Sequence, residues 1–211
     1  MKILVSLIGL LVAVNAQGGF FAPGAQEPEW SLVAGSQPKD RSYEVRLYKA
    51  AKWVSTKIIG SSQRRAQSLG FQRLFAYISK SNSRGAKIAM TTPVRSEIHW
   101  NCNLIEYTVS FYIPAEFQQD PPKPSDPTVY IEERPDFVVY ARQFEGFAFR
   151  PMFYEQRLEL LRALERNQVQ NIVLYTFETA QYNSPWDLVG RRNEVWIYNE
   201  ENSPRGADRS C

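Results

Sequence analysis

Histidine is almost absent from this chain. His99 is the only one in 211 residues, and just two cysteines, Cys102 and Cys211, stand beside it. A multi-histidine zinc site is therefore out of reach, and a Ser-His-Asp or Cys-His mechanism would have to run through that one imidazole. An excess of either charge is lacking too. Lys and Arg number 25 against 22 Asp and Glu, a net +3, and the basic residues are dispersed. A nucleic-acid binder would show a basic stripe instead. Phosphate-loop, dinucleotide-binding and His-Glu-x-x-His patterns are missing. After the first 14 residues no run is long or apolar enough to span a bilayer as a helix. What remains, 44% hydrophobic and 22% charged, suits a globular chain and excludes a disordered one.

The one long apolar run is Ile3-Leu-Val-Ser-Leu-Ile-Gly-Leu-Leu-Val-Ala-Val14, behind Met1-Lys2 and ahead of Asn15-Ala16. It falls short of the roughly 20 residues a membrane span needs. With small Val14 and Ala16 at the positions a signal peptidase reads, residues 1–16 read as a cleaved secretory signal. The expected product is soluble, unanchored and extracellular. In an oxidising compartment Cys102 and Cys211 most simply form one disulfide, pinning the tail to the body. The alternatives are a buried Cys102 thiol or a bond to a second chain.

Residues 17–40 are rich in Gly, Pro and Gln and read as an extended arm, with Phe20, Phe21 and Trp30 available to dock it. A single domain over 41–200 follows, and 201–211 form a tail. Within the domain, Tyr43–Tyr48 and Trp53–Ile59 read as strands. A helix capped by Ser61 or Ser62 runs to about Lys80. Strand-like runs follow at Lys87–Val94 and Ile105–Ile113. Asp120-Pro-Pro-Lys-Pro-Ser-Asp-Pro127 is too proline-rich for helix or sheet interior. The grammar then repeats: strands at Val129–Arg134 and Phe137–Arg142, a helix at Pro151–Asn167, strands at Ile172–Thr179 and Val195–Tyr198. Glu44-x-Arg46 and Glu132-x-Arg134 open the two halves, 88 residues apart. Neither half can bury its sheet face alone. The expected fold is α+β: two pseudo-repeated ββαββ halves joined into a curved sheet or distorted β-barrel with two packed helices.

Little in the residues points to catalysis. Glu132-Glu133 and Glu200-Glu201 are adjacent pairs, and neighbours on a strand face opposite ways. The 12 Phe, 11 Tyr and 5 Trp are more than a minimal core needs, and together they suit a cleft for a planar ligand. Arg191-Arg192 with Glu194 has the spacing to tie a loop to a strand by guanidinium–carboxylate pairing.

Several segments carry a resemblance. They are Tyr43-Glu-Val-Arg46, Ala51-Lys-Trp-Val-Ser-Thr56, Lys87-Ile-Ala-Met-Thr-Thr-Pro-Val94, Phe111-Tyr-Ile-Pro114, Pro121-Pro-Lys-Pro-Ser-Asp126, Ile131-Glu-Glu-Arg134, Tyr182-Asn-Ser-Pro185 and Arg191-Arg-Asn-Glu-Val-Trp196. In this order they resemble the SOUL/haem-binding protein family over roughly residues 42–199. The resemblance implies a distorted β-barrel from two pseudo-repeats, and non-enzymatic binding of haem or another tetrapyrrole in a shallow apolar groove. It implies an axial histidine at the place of Leu47, propionate-pairing cations at Ser68 and Ala76 on the first helix, and a further lysine at Thr108. None of those side chains is present here, so haem or an iron-free porphyrin is expected to bind without the family's axial histidine. Phe71, Arg73 and Phe75 are the groove neighbours on the same helix. Arg65, Arg73 or Lys80 are the candidate substitutes for a propionate contact. His99, read as a partly exposed strand or loop residue, Cys102 if not oxidised, Met90 and the tyrosines are the candidate iron ligands.

The expected role is thus an exported tetrapyrrole carrier or buffer. The alternative is a protein-interaction module that kept the fold and lost ligation. The apoptotic, BH3-like role linked to some relatives is disfavoured: Leu158-Glu-Leu-Leu-Arg-Ala-Leu164 is amphipathic but lacks the following Gly-Asp.

Overall fold

The computed structural model describes residues 24–60, 62–101, 104–183, 187 and 189–203. The leader over 1–16, the Cys102–Cys211 pairing and residues 204–211 of the tail lie outside them. The arm contributes a short strand, β1 (Trp30–Leu32), and the first half then supplies β2 (Glu44–Tyr48) and β3 (Ala51–Ile59). Helix α1 (Gln63–Ile78) begins at Ser62, whose hydroxyl accepts the Arg65 N–H. Strands β4 (Val94–Asn101) and β5 (Leu104–Tyr112) complete that half.

The second half runs β6 (Val129–Arg134), β7 (Phe137–Glu145), α2 (Arg150–Arg166), β8 (Thr176–Gln181) and β9 (Arg192–Tyr198). Helix α2 has no side-chain cap. Pro151 in its first turn, where an N–H would go unused, and Arg166 at its negative end favour it instead.

Two strand positions differ from the sequence reading. Residues 87–93 are not a strand: Lys87 makes one isolated bridge to Ser79, and Pro93 has no N–H to offer a ladder. The strand there is β4, whose Arg95, Glu97 and His99 look solvent-facing in sequence but are buried. Ile172 likewise forms only an isolated bridge, to Asn199, and β8 starts at Thr176.

All pairings are antiparallel, in the order β1-β2-β7-β9-β8-β4-β5-β3-β6. This order is a palindrome of the repeat, apart from β1. Each half gives its first strand to the other: β2 pairs with β7, and β6 with β3. The halves then meet where β4 pairs with β8. The exchange explains why one half does not suffice, since each sheet half is completed by the other half's leading strand. The result is the curled sheet with two helices anticipated from the duplication.

One face carries the helices, α1 over β3 and β5, α2 over β7 and β9. Leu74, Tyr77 and Ile78 of α1 join Val54, Val109 and Phe111, while Phe153, Leu160 and Leu164 of α2 join Val195, Ile197 and Phe177. Each fully buried aliphatic or phenyl group contributes about 1.5–3 kcal/mol. Gly70 lets α1 sit close. A Cβ there would lie 2.5 Å from Val109 Cγ2 and 2.7 Å from its Cβ. Among the described residues no helix is long and apolar enough to cross a membrane.

Candidate functional site

The inner face of the curl carries charge, and that charge is internally matched. Glu44-x-Arg46 and Glu132-x-Arg134 do the same thing in each half, because residues two apart on a strand share a face. Arg46 Nε donates to Glu44 at 2.7 Å, and Arg134 Nε donates to Glu132 at 3.0 Å. Arg46 continues to Glu194 on β9 at 2.9 Å and 3.2 Å, and Arg134 reaches Glu178 on β8 at 3.2 Å. Glu97 and Glu178 stand opposite each other where the halves meet. Two facing carboxylates there need cations: Arg134 lies against both, and Arg95 pairs with Glu178 at 2.5 Å. Rings close the layer, Trp53 under Arg95 and Trp30 under Arg46, each within 4.4 Å of the guanidinium carbon.

Burial alone would raise the Glu194 carboxyl, but Arg46 and Arg192 beside it outweigh that and hold it below the ordinary range. The same balance, with Arg134 and Arg95 as the cations, lowers Glu132. Tyr198 is buried against Glu178, to which its hydroxyl donates, and its pKa is driven far up by desolvation. These carboxylates converge inside the protein, neutralised by arginine, rather than at an open cleft. Glu200 and Glu201 sit apart, in a single 3-10 turn. The inner face is therefore a packed ionic and aromatic core.

His99 belongs to that inner side. It is buried, contrary to the partly exposed position expected, with Nδ1 2.7 Å from Thr176 Oγ1 and its ring edge-on to Tyr175. Thr108 is also buried, paired in register with Glu97 and Lys57. Leu47 lies on β2, separated from the β5 of Thr108 by four strands. Among the described residues no group of three His, Cys, Asp or Glu is placed to hold a metal ion.

The α1 positions do come together. At 100° per residue, Arg64, Arg65, Ser68, Gln72, Phe75 and Ala76 share the outward half of the helix. Phe75 is 37% exposed and stacks on half-buried Phe71, rings 5.8 Å apart. Phe71 in turn meets Phe111 of the sheet edge-on. Arg73 turns inward and donates to Thr56 Oγ1 at 3.2 Å. Ser62, Arg64, Arg65, Ser68, Leu69 and Gln72 line an open hollow of about 460 Å³ at the start of the helix. Neither Arg64 nor Arg65 pairs with a carboxylate among the described residues, so two guanidinium groups face this hollow free to meet an anion. The sequence reading found Ser68 and Arg65 there but not Arg64, Leu69 and Gln72, which only the helical phase and the hollow bring in.

Arg191 and Arg192 behave as the spacing suggested. Arg191 donates to the Asp187 carbonyl at 2.8 Å, and Arg192 bridges Glu194 and Glu27. They tie the β8–β9 connection to β9 and to the arm.

The chain matches the family model described as SOUL heme-binding protein over residues 25–198. It is 39% identical over 181 residues to Heme-binding protein 2 of Mus musculus, covering 84% of this chain and 87% of that one. Heme-binding protein 1 of Xenopus laevis is 31% identical over 177 residues, 82% and 92% of the two chains. Among solved structures, the EcmrR C-terminal domain superposes with a TM-score of 0.54 at 11% identity. That superposition covers 74% of this chain and 96% of that domain, a likeness of fold.

Proposed function

As the chain belongs to the SOUL haem-binding protein family, we propose that it binds haem or another tetrapyrrole, without catalysis, on the outward face of α1. The observation that carries this reading is the pair of guanidinium groups, Arg64 and Arg65, without a carboxylate partner among the described residues, on the hollow that contains Ser68. A tetrapyrrole is a flat apolar disc with carboxylates on one edge. Leu69, Phe71 and Phe75 offer the disc apolar surface, and the two arginines offer its carboxylates charge-assisted pairs of about 1.5–3 kcal/mol each. They take the place of the family cations missing at Ser68 and Ala76. Leu47 and buried His99 argue for binding without imidazole ligation, so ring burial and propionate pairing provide the affinity.

The leader motif supports export, and hence a carrier or buffer outside the cell. Titration with haemin and with protoporphyrin IX, followed at the Soret band, tests the binding. Both are expected to bind at micromolar concentrations with comparable affinity. Arg64→Gln and Arg65→Gln should each weaken binding about 10-fold or more. No Soret shift with either ligand would favour the interaction-module alternative. Expression of the full chain in secretory cells tests export: the medium should contain protein beginning at Gln17.

A further inference from the structure

A second hollow lies where β4 of the first half meets α2 and the approach to β8, and nothing above uses it. It has a volume of about 400 Å³ and is lined by Trp100, Arg157, Leu174 and Tyr175. Trp100 stacks on Phe177, centroids 5.5 Å apart and planes 22° from parallel, and Tyr154 meets both rings edge-on. Leu174 is 57% exposed although nothing about a connecting segment requires an apolar side chain there. This is a built aromatic wall with an open rim.

Arg157 makes the hollow more than apolar. Its guanidinium lies over Trp100 and Phe177, 5.0 Å and 5.4 Å from their centroids. One N–H donates to the Leu174 carbonyl at 2.7 Å, while the buried Nε has no hydrogen-bond partner among the described residues. Among the described residues no carboxylate pairs with it. Burial lowers its pKa, and only the Tyr154 hydroxyl acts in the other direction. Arg46, Arg95, Arg134 and Arg192, which also bear on aromatic rings, have carboxylate partners that Arg157 lacks among the described residues. A guanidinium stays charged at neutral pH, and a partly desolvated, uncompensated one favours any anion that can reach it.

We propose that the Trp100–Arg157–Leu174–Tyr175 hollow is a second ligand site that takes a small aromatic carboxylate, its ring against Trp100 and Leu174 and its carboxylate on Arg157. The site is independent of the tetrapyrrole face on α1. It rests on α2 and on the β4–β8 junction, whereas the other rests on the outward side of α1.

The probes are 2-naphthoate and its uncharged amide, 2-naphthamide, titrated calorimetrically into the full protein. Naphthoate is expected to bind at one site, roughly 10- to 100-fold tighter than the amide, the value of one charge-assisted contact. Arg157→Gln should bring naphthoate down to the level of the amide and leave the amide unchanged. Leu174→Glu, on an exposed side chain that leaves the core intact, should abolish naphthoate binding by repulsion. Equal affinity for the two probes, no saturable binding, or binding indifferent to both variants would overturn the proposal. So would displacement of naphthoate by haemin at one equivalent, which would make the hollow the tetrapyrrole site itself. A missing Soret shift together with intact naphthoate binding would sink the α1 reading and leave this one standing.

Discussion

Gly70→Ala is the substitution on which local propensity and tertiary packing disagree most clearly. In an isolated helix it stabilises by about 0.8–1 kcal/mol, because alanine has less backbone entropy to lose. In this protein the new methyl would meet Val109 Cγ2 at 2.5 Å and Cβ at 2.7 Å, with Ile58 Cδ1 at 3.3 Å. Carbon pairs prefer about 3.5–4.0 Å, so helix and sheet must part by about 1 Å. Val109 is fully buried on a central strand, and its Cβ is not the free end of a flexible chain. Overpacking of this kind costs about 1–3 kcal/mol, here toward the upper end because two atoms of one rigid side chain are struck. The net expectation is a loss of about 1–2 kcal/mol, or a fall of about 2–8 °C in Tm for a domain of this size. Thermal unfolding followed by circular dichroism measures it. Val109→Ala in the same chain should relieve the penalty only in part, since its Cβ stays. A Tm equal to or above that of the parent would refute the close approach of α1, and with it the placement of the candidate tetrapyrrole face.

The inner charge layer makes its own demands. Arg134→Met strands Glu97, Glu132 and Glu178 without their shared cation and should cost about 3–5 kcal/mol in urea unfolding; a neutral result would mean water already reaches that layer. Glu194 and Glu132 are depressed below their ordinary value of 4.5, so their stabilisation is complete above that pH and is lost as pH falls through the lower folded values. Stability should hold from neutrality to about pH 5 and then decline, and Glu194→Gln, less stable at neutral pH, should decline less steeply. Asn82 receives the Arg84 and Ala86 N–H groups and donates to the Tyr77 and Ala86 carbonyls, closing the turn that ends α1. Asn82→Ala should cost about 2–4 kcal/mol, from four bonds of about 0.5–1.5 kcal/mol each less what water restores. Unchanged denaturant midpoints would contradict that role.

The repeat, both helices and most strands were legible in the residue order because they rest on period and local chemistry. Ser62 caps α1 as its hydroxyl suggested, Pro151 opens α2, and Glu-x-Arg recurs because a two-residue period places both groups on one face. The proposal of export rests on the leader motif alone. Strand β4 escaped notice because its polar residues point into the protein: Arg95, Glu97 and His99 look like a wet edge until partners from β6 and β8 surround them.

Only the tertiary structure decided which strand belongs to which half, since the exchange of β2 and β6 involves pairings far apart in sequence and no local preference encodes it. It also decided which arginines are free. Arg46 and Arg134 find carboxylates across the curl, while Arg64, Arg65 and Arg157 find none among the described residues, and that difference is set by the neighbours brought up by folding. A guanidinium is written the same way in every sequence; whether it holds the core together or waits for an anion depends on what packs against it.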